Sequence, residues 1–383
     1  MIISYGGKNC WSFKDWFEIN LRINKNVPRE YGFSTKPIVP IMCFEGPNAS
    51  GKTSALRVLS FIADFCKNSF SYDTESETPF DTYYHNQDES EFFVSFSLPQ
   101  DMETEYNYEV KFLDKKVISE KLSFAKGKNK TIISRKKDKI VQVNLPDLKS
   151  FDNSIRLNAS FISTLNQYGI KSIEPFIGFF KSIISNISYI GRQEDNSLSD
   201  PAAYYHEHPE QLKRVVNELK KLDTGIGDIE IAEFTNQENR KIYYSIIYNE
   251  TEEGRKPLNH WLMSTGSKAL YFRLCMIFDT LDRGGVLLFD EIDSHLHSSL
   301  VPKILGLFLD NEVNKNNAQL IFTSHDSSLL DLMKKYRTYI FEKEKGESIC
   351  YRIDELPSAM TSRNDRSLNE VYKSGIIGGI PDV

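Results

Sequence analysis

The first clear pattern along the chain is an apolar run that ends at a glycine and gives way to helical spacing. Residues 38–45 read IVPIMCFE, and residues 46–53 read GPNASGKT. Apolar residues then recur every three or four positions through SALRVLSFIADFCK, namely Leu56, Leu59, Ile62, Ala63 and Cys66. This order predicts a buried strand, a glycine-rich loop and a helix.

The next pattern is alternation. Between about 90 and 145, apolar and polar residues alternate in segments such as EFFVSFSL, YNYEVKFL and KIVQVNL, which predicts a small antiparallel sheet. From 150 to about 222 the spacing is helical and ends in PEQLKRVVNELKKLDTG. We therefore predict an N-terminal lobe over 1–145, a helical insertion over 146–222 and a C-terminal lobe over 223–383.

The C-terminal lobe shows strands and helices in alternation. Strand patterns return at DIEIAEF and RKIYYSIIY, and GGVLLFDEIDSHLH then places four apolar residues before Asp-Glu, as in a fully buried parallel strand. A helix over 298–309 and a second apolar strand in AQLIFTSHD follow. This alternation indicates a mostly parallel sheet in an α/β fold.

Composition places the chain among ordinary globular proteins. It has 383 residues, of which 40% are hydrophobic and 26% charged. The five cysteines are scattered, without the spacing of a zinc site or a disulfide framework, which fits a reducing cytoplasm. We find neither a secretion signal nor an apolar run of membrane-spanning length, so we expect a cytoplasmic protein without membrane contact.

Charge is unevenly distributed. The net charge is −6, yet residues 111–140 contain eleven Lys and Arg against three acidic residues, a local charge of +8. The segment alternates like strands joined by a turn, so a solvated hairpin with a lysine-protected edge is one interpretation. A contact surface for nucleic acid or an acidic partner is the other.

The glycine-rich loop has the form that binds nucleotide phosphates. Its glycines would let backbone amides face the phosphates, Lys52 would reach the outer phosphates, and the Thr53 hydroxyl would bind Mg²⁺. The predicted ATP contacts of this loop are Gly46, Pro47, Asn48, Ala49, Ser50, Gly51, Lys52, Thr53 and Ser54.

The buried strand of the C-terminal lobe supplies the carboxylates that such a loop lacks. At its end, Asp290 can hold the magnesium, directly or through water, and Glu291 can polarise the attacking water. His325 comes just after the next strand, where a neutral or charged imidazole can hydrogen-bond the terminal phosphate. The sequence therefore predicts an ATPase with Glu291 and His325 as catalytic residues.

A further anion site is predicted in MSTGSK at 263–268, where hydroxyls and a glycine precede a helix. Ser264, Gly266 and Lys268 are the candidate residues. Because Lys52 and its loop already hold the phosphates of their own chain, we expect this segment to contact a nucleotide bound to a partner subunit.

The order of these motifs resembles the ABC-type ATPases of the SMC, RecF and OLD group. NCWSFKD, DTGIGDI, DEIDSHLH and RNDRSLNEVYKSGIIGGIP are similar to segments of the short AAA-type ATP-binding proteins of bacterial abortive-infection and phage-defence loci, including the ATPase subunits of AbiL and PARIS systems. The resemblance implies an ABC-type P-loop ATPase head with an antiparallel β subdomain and a helical insertion.

The resemblance also implies a head-to-tail dimer, or a higher homo-oligomer, in which Ser264, Gly266 and Lys268 of one subunit close over ATP at Lys52 of the other. Asp293 would lie at the subunit seam. The signature STGSK differs from the transporter form, and Gln87 is the nearest candidate for a glutamine loop. A transporter subunit is therefore disfavoured.

Three functions remain open at this point. The first is a defence ATPase that senses phage or nucleic acid and controls a separate effector, such as a nuclease encoded nearby. The second is a DNA-repair ATPase that clamps DNA like RecF, and the third is a slow ATP-dependent scaffold. We expect the effector on a partner, because the 58 residues after His325 lack the carboxylate cluster of a two-metal nuclease.

Overall fold

The structure is a computed structural model. It describes residues 1–24, 27–126, 128–148, 154–188, 191–192, 201–222, 225–259, 263–357, 360 and 367–380. Parts of two segments that carry the family resemblance, 223–229 and 363–381, lie outside the described residues.

The described residues form sixteen strands, numbered in chain order: β1 (Ile2–Lys8), β2 (Phe17–Asn20), β3 (Ile41–Glu45), β4 (Ser90–Leu98), β5 (Asp101–Leu113), β6 (Lys116–Lys126), β7 (Lys128–Lys136), β8 (Lys139–Val143), β9 (Ile183–Ser185), β10 (Ile226–Thr235), β11 (Lys241–Thr251), β12 (Gly254–Asn259), β13 (Val286–Phe289), β14 (Gln319–Thr323), β15 (Thr338–Glu344) and β16 (Glu347–Arg352).

The same residues form nine α-helices: α1 (Lys52–Asn68), α2 (Phe161–Gln167), α3 (Glu174–Lys181), α4 (Ala202–Glu207), α5 (Pro209–Lys221), α6 (Thr265–Arg283), α7 (Val301–Leu309), α8 (Leu330–Met333) and α9 (Leu368–Lys373).

A six-stranded sheet in the order β16-β15-β3-β14-β13-β9 forms the centre of the molecule. All neighbours in it are parallel except the edge pair β15 and β16. Successive residues of β3 enter different hydrophobic clusters: Met42 and Phe44 on one face, Ile41 and Cys43 on the other. Burial on both faces explains why these strands are apolar runs, and the predicted parallel sheet is confirmed.

An antiparallel sheet in the order β2-β1-β4-β5-β6-β7-β8 forms the predicted β subdomain. Rings of this sheet, including Phe92 and Phe112, pack against Phe61 and Phe65 of α1. The helix that begins at the phosphate loop is therefore held on its far side by the β subdomain. Together the two sheets confirm the predicted α/β fold with an antiparallel β subdomain.

The region expected to be wholly helical contains a strand. Helices α2 and α3 pack against α1, and α5 packs against α6, as a helical pattern predicts. Between these pairs, however, β9 pairs in parallel with β13 and extends the central sheet. Its short, mixed sequence IIS carries too few residues for a period to be recognised. The domain boundaries at 145 and 222 stay a prediction.

A separate three-stranded sheet, β10-β11-β12, lies beside α4 and α5. No helix among the described residues has both the length and the apolar character needed to cross a membrane.

Candidate active site

The loop between β3 and α1 has the backbone shape that its two glycines allow. Gly46 has φ 147° and Gly51 has φ 111°, both in the region that favours glycine. A Cβ at Gly46 would lie 2.3 Å from the carbonyl oxygen of Phe341, and one at Gly51 would lie 2.4 Å from Oγ of Ser348. The glycines therefore also allow the loop to pack against β15 and β16.

Lys52, the first residue of α1, is buried under this loop. Its ammonium group donates to the carbonyl oxygens of Gly46 at 2.6 Å and Pro47 at 3.0 Å. Burial lowers the pKa of Lys52, and the nearby Glu45 carboxylate opposes that change. The cation is thus held by neutral carbonyl groups, which a phosphate would replace with a stronger, charge-assisted contact.

Asp290 joins three elements at the carboxyl ends of the parallel strands. Its carboxylate accepts hydrogen bonds from Thr53 Oγ1 at 3.1 Å and from Thr323 Oγ1 at 2.8 Å. Its backbone is fixed by Asn186, whose amide accepts from Asp290 N at 2.8 Å and donates to Asp290 O at 3.1 Å. Burial raises the pKa of Asp290, while the two threonine hydroxyls oppose the shift.

Glu291 lies at the mouth of the same cleft. Its backbone N–H donates to Thr323 Oγ1 at 2.7 Å, and its φ is 53°. One carboxylate oxygen accepts a hydrogen bond from Arg192, and the other is 3.7 Å from Nε2 of His325. The backbone N–H of His325 donates to Asp293 Oδ2 at 3.0 Å, which ties the histidine to the turn after β13.

One cleft therefore brings together most of the predicted residues. Its described lining consists of Ser12, Asn48, Ala49, Ser50, Gly51, Lys52, Thr53, Ser54, Asp290, Glu291, Thr323, His325 and Lys343. The meeting follows from topology, because β3, β13 and β14 are parallel neighbours whose carboxyl ends share one edge of the sheet.

The signature residues are elsewhere on the chain. None of Ser264, Gly266 and Lys268 is among the described residues that line the cleft. Ser264 is exposed and caps α6 by accepting a hydrogen bond from Ser267 N at 3.1 Å. A Cβ at Gly266 would lie 2.9 Å from the carbonyl oxygen of His295, so this helix start packs against the turn after β13. Gln87 is exposed and is likewise not among the described lining residues.

Sequence reasoning missed Ser12, Thr323 and Lys343 of the cleft lining. It also missed Asn186, Arg192 and Glu45, which contact or neighbour the predicted residues. Thr323 lies in the strand segment before His325, so its hydroxyl could have been recognised from the sequence. Asn186 and Arg192 reach the site because β9 lies beside β13. Glu45 ends β3 and is 3% exposed, and burial raises its pKa to about 8. A glutamate that ends an otherwise apolar strand was the available signal for it.

Comparison with known proteins now identifies the family. Residues 41–331 match the model of the family described as "AAA domain, putative AbiEii toxin, Type IV TA system". The chain belongs to this family. The match runs from β3 to α8 and so includes every residue of the predicted site, and a P-loop ATPase family implies nucleotide binding. No curated protein matches the chain in sequence.

One of the similar solved structures supports the fold assignment. The chain is similar to an SMC head solved with the C-winged helix domain of ScpA, with a TM-score of 0.50, 14% identity, and coverage of 92% of this chain and 99% of that one. The SMC head domain from Thermotoga maritima gives a TM-score of 0.46 at 14% identity, with coverage of 92% and 98%. The predicted resemblance to SMC-type ATPase heads is confirmed at the level of the fold.

Proposed function

We propose that this protein binds ATP and Mg²⁺ in the cleft, hydrolyses the nucleotide as a homodimer, and regulates a separate effector in antiviral defence. The observation that carries the proposal is the hydrogen-bonded set of Thr53, Asp290 and Thr323 beside buried Lys52, with Glu291 and His325 at its mouth.

The residues present fit both ligands. A threonine hydroxyl and a carboxylate 3.1 Å apart are oxygen ligands of the kind that Mg²⁺ prefers. The side-chain oxygens of Ser12, Ser50 and Ser348 are buried without a hydrogen-bond partner among the described residues. Such groups are costly in a finished core, whereas a phosphate or a bound water would satisfy them. Helix α1 adds the positive end of its dipole.

Each residue then has a role in hydrolysis. Lys52 would hold the outer phosphates, and Thr53 and Asp290 would hold the magnesium, which supplies charge neutralisation on the phosphates. Glu291 would accept the proton of the attacking water, and His325 would hydrogen-bond the terminal phosphate. Asp293 accepts a hydrogen bond from the His325 backbone N–H and so would help to position this residue beside the cleft.

A second subunit would complete the site. Ser264 is exposed and lies outside the cleft of its own chain, at the start of the 19-residue helix α6. In a head-to-tail dimer this helix start would bind the phosphates held at Lys52 of the partner, and the Asp293 turn would lie at the seam. Closure over two nucleotides would change any surface that spans the subunits, which is how ATP would control an effector.

The effector is proposed to be a partner protein, such as a nuclease, encoded nearby. The family description, which names a putative toxin and a toxin–antitoxin system, supports the link to such systems. The purified chain should then hydrolyse ATP while leaving DNA and RNA intact. Metal-dependent cleavage of nucleic acid by the pure chain would contradict a separate effector.

Glu291→Gln tests the hydrolytic half. The amide cannot accept the proton as a carboxylate does, so turnover should fall by a factor of about 100 to 10,000 while ATP binding persists. Steady-state phosphate release and size-exclusion chromatography with ATP would show lost turnover and an accumulated dimer. The matched control is Glu174→Gln, which changes an exposed glutamate on α3. Wild-type turnover in Glu291→Gln would place the base elsewhere.

A mixture of two inactive variants tests the shared site. Lys52→Ala chains and Gly266→Asp chains should recover activity at one composite site, since each supplies what the other lacks. Because a side chain at Gly266 would press on the His295 carbonyl, Lys268→Glu provides a second signature variant. Inactivity of both mixtures, with heterodimers shown by mass spectrometry, would argue against a shared site.

Co-expression tests the regulatory half. The chain alone should be harmless to cells, whereas the chain with its gene neighbour and the appropriate trigger should stop growth. Lys52→Ala should abolish that arrest. Growth arrest that persists with Lys52→Ala would separate the toxicity from nucleotide binding.

A further inference from the structure

The Glu291 carboxylate is engaged by a residue that no motif contains. Arg192 donates one guanidinium hydrogen bond to Glu291 Oε2 and another to Ser294 Oγ, the latter at 2.9 Å. The side chains of Arg192 and Glu291 are 21% and 36% exposed, so the pair lies at the rim of the cleft rather than on the open surface. Arg192 thus connects the proposed base to the turn after β13.

The backbone hydrogen bonds around Arg192 place this residue next to Glu291. Ser188 and Gly191 exchange backbone hydrogen bonds of 2.8 and 3.1 Å, and Ile187 forms a bridge with Arg192. Gly191 has φ 140°, and a Cβ on it would lie 2.6 Å from a guanidinium nitrogen of Arg57 on α1. The position before Arg192 therefore requires glycine, and the chain returning from β9 is held close to the phosphate-loop helix.

This contact has a consequence for the base. A carboxylate oxygen that accepts a hydrogen bond from a guanidinium has one of its acceptor sites occupied, which leaves fewer sites for the attacking water. His325 lies 3.7 Å from the other oxygen, so both sides of the Glu291 carboxylate face a nitrogen group. In this arrangement the Glu291 carboxylate is oriented by Arg192 on one side and faces His325 on the other.

A terminal phosphate would compete for the same guanidinium. Glu291 itself lines the cleft with Lys52 and Thr53, so Arg192 is one side chain away from the phosphate position. Phosphate oxygens match the planar fork of arginine and carry more charge than one carboxylate. ADP lacks the terminal phosphate, which in ATP would lie nearest to Glu291.

We propose that Arg192 is a positioning residue that distinguishes ATP from ADP: it holds Glu291 in the nucleotide-free protein and moves to the terminal phosphate oxygens when ATP binds, which frees the carboxylate to face water. The release of Glu291 rests on the proposed hydrolysis, whereas the contact with the terminal phosphate is a statement about binding alone.

The test compares two nucleotides by isothermal titration in the presence of magnesium: ADP and the non-hydrolysable analogue adenylyl imidodiphosphate. Arg192→Gln should lower the affinity for the analogue by roughly tenfold or more, because a charge-assisted hydrogen bond is lost. The affinity for ADP should stay nearly unchanged. Arg192→Lys should restore part of the loss, because it keeps the charge without the planar fork.

Arg214→Gln is the matched control. Arg214 also pairs with a carboxylate, Asp282, but on the surface of α5 away from the cleft. It should alter neither affinity. Unchanged ADP binding in Arg192→Gln would itself show that the cleft remains folded.

Two results would overturn the proposal. If Arg192→Gln lowered the affinities for ADP and for the analogue equally, Arg192 would have a structural role. Unchanged analogue affinity with faster hydrolysis would make Arg192 a clamp on Glu291 that never reaches the phosphate. Failure of the proposed function is a distinct result: wild-type protein and Glu291→Gln would then release phosphate equally, while the affinity ratio could still change in Arg192→Gln.

Discussion

Two groups of buried charge in this molecule are built in different ways. In the β subdomain, Glu120 and Arg135 have fully buried side chains and form an ion pair at 2.6 Å. Glu120 also accepts from the Tyr108 hydroxyl at 2.7 Å and from Phe161 N at 3.1 Å. The remaining guanidinium hydrogens of Arg135 go to backbone carbonyls, among them Arg156 at 3.0 Å and Ala159 at 2.5 Å.

The second group lies under the phosphate loop and is incompletely satisfied. Lys52 contacts two carbonyls, Glu45 Oε2 has no hydrogen-bond partner among the described residues, and the Ser50 hydroxyl next to Lys52 also has none. Burial raises the pKa of Glu45 to about 8 and lowers that of Lys52.

The difference separates charge that serves the fold from charge that serves a ligand. A buried pair whose two charged groups are both hydrogen-bonded joins α2 and its preceding loop to the β sheet. Buried groups left without partners cost stability, and that cost is recovered only when a ligand supplies the missing contacts. The following substitutions test this distinction.

The largest effect is expected from Arg135→Met. It leaves the Glu120 carboxylate buried without its cation, so the free energy of unfolding should fall by about 3–5 kcal/mol in urea denaturation. Adding Glu120→Gln should recover part of this loss, because the amide still accepts from Tyr108 without a charge. If Arg135→Met were as stable as wild type, the Glu120–Arg135 pair would not contribute to the stability of the fold.

Glu45→Gln should have a pH-dependent effect of roughly 3.5 kcal/mol at pH 7, since pH 7 lies 2.5 units above the ordinary pKa of 4.5 and each unit corresponds to about 1.4 kcal/mol. The folded state holds a proton on Glu45 up to about pH 8, whereas a glutamate normally loses it near pH 4.5. The free energy of unfolding of the wild type therefore falls as the pH rises from 4.5 to about 8. Glu45→Gln has no proton to lose at this position, so its free energy of unfolding does not fall for this reason.

Denaturant unfolding of Glu45→Gln at pH 5, 7 and 9 without nucleotide checks this prediction. The variant's advantage over wild type should grow with pH and level off above about 8. Glu174→Gln, an exposed glutamate, provides the control. A constant difference across the range would show that Glu45 is ionised when folded.

Lys52→Ala should weaken ATP binding by about 3 kcal/mol, or about a hundredfold, because the phosphates lose a charge-assisted contact. Its free energy of unfolding should change less than that of Arg135→Met, since among the described residues the hydrogen bonds of the Lys52 ammonium group go to carbonyls of its own loop. Isothermal titration with a non-hydrolysable analogue provides the measurement. Unchanged affinity would contradict the assignment of the loop.

The smallest effect on stability is expected at the exposed lysines of the basic segment. Lys136 and Lys137 are exposed, unlike buried Arg135, so replacing both with Glu should change the free energy of unfolding by less than about 0.5 kcal/mol. If the segment contacts nucleic acid or an acidic protein, binding should weaken most at low ionic strength. Unaltered binding in filter assays would favour the solvated hairpin.

In the basic segment, the net charge counted along the sequence differs from the charge that reaches the surface. Counted along the sequence, Arg135 adds to a local charge of +8, but in the structure it is buried against Glu120. Lys111 pairs with Glu91 at 2.8 Å, and Lys115 with Glu77 at 3.3 Å. Cross-strand partners decide how much of this charge reaches the surface.

The sequence alone determined the parallel core and its motifs. The glycine loop, the Asp290–Glu291 pair and His325 are readable because each follows an apolar strand, and parallel neighbours place their carboxyl ends at one edge. The alternation over 90–145 likewise determined the β subdomain, since period two has no helical alternative.

Only the tertiary structure decided which distant residues complete the cleft. Arg192 and Asn186 reach Asp290 and Glu291 because a three-residue strand, too short to show a period, docks beside β13. The raised pKa of Glu45 likewise arises from burial in the assembled fold, and it is raised even though Lys52 and the backbone N–H of Gly46 oppose the shift. Burial and unpaired hydrogen-bonding groups are properties of the assembled fold, so no local pattern encodes them.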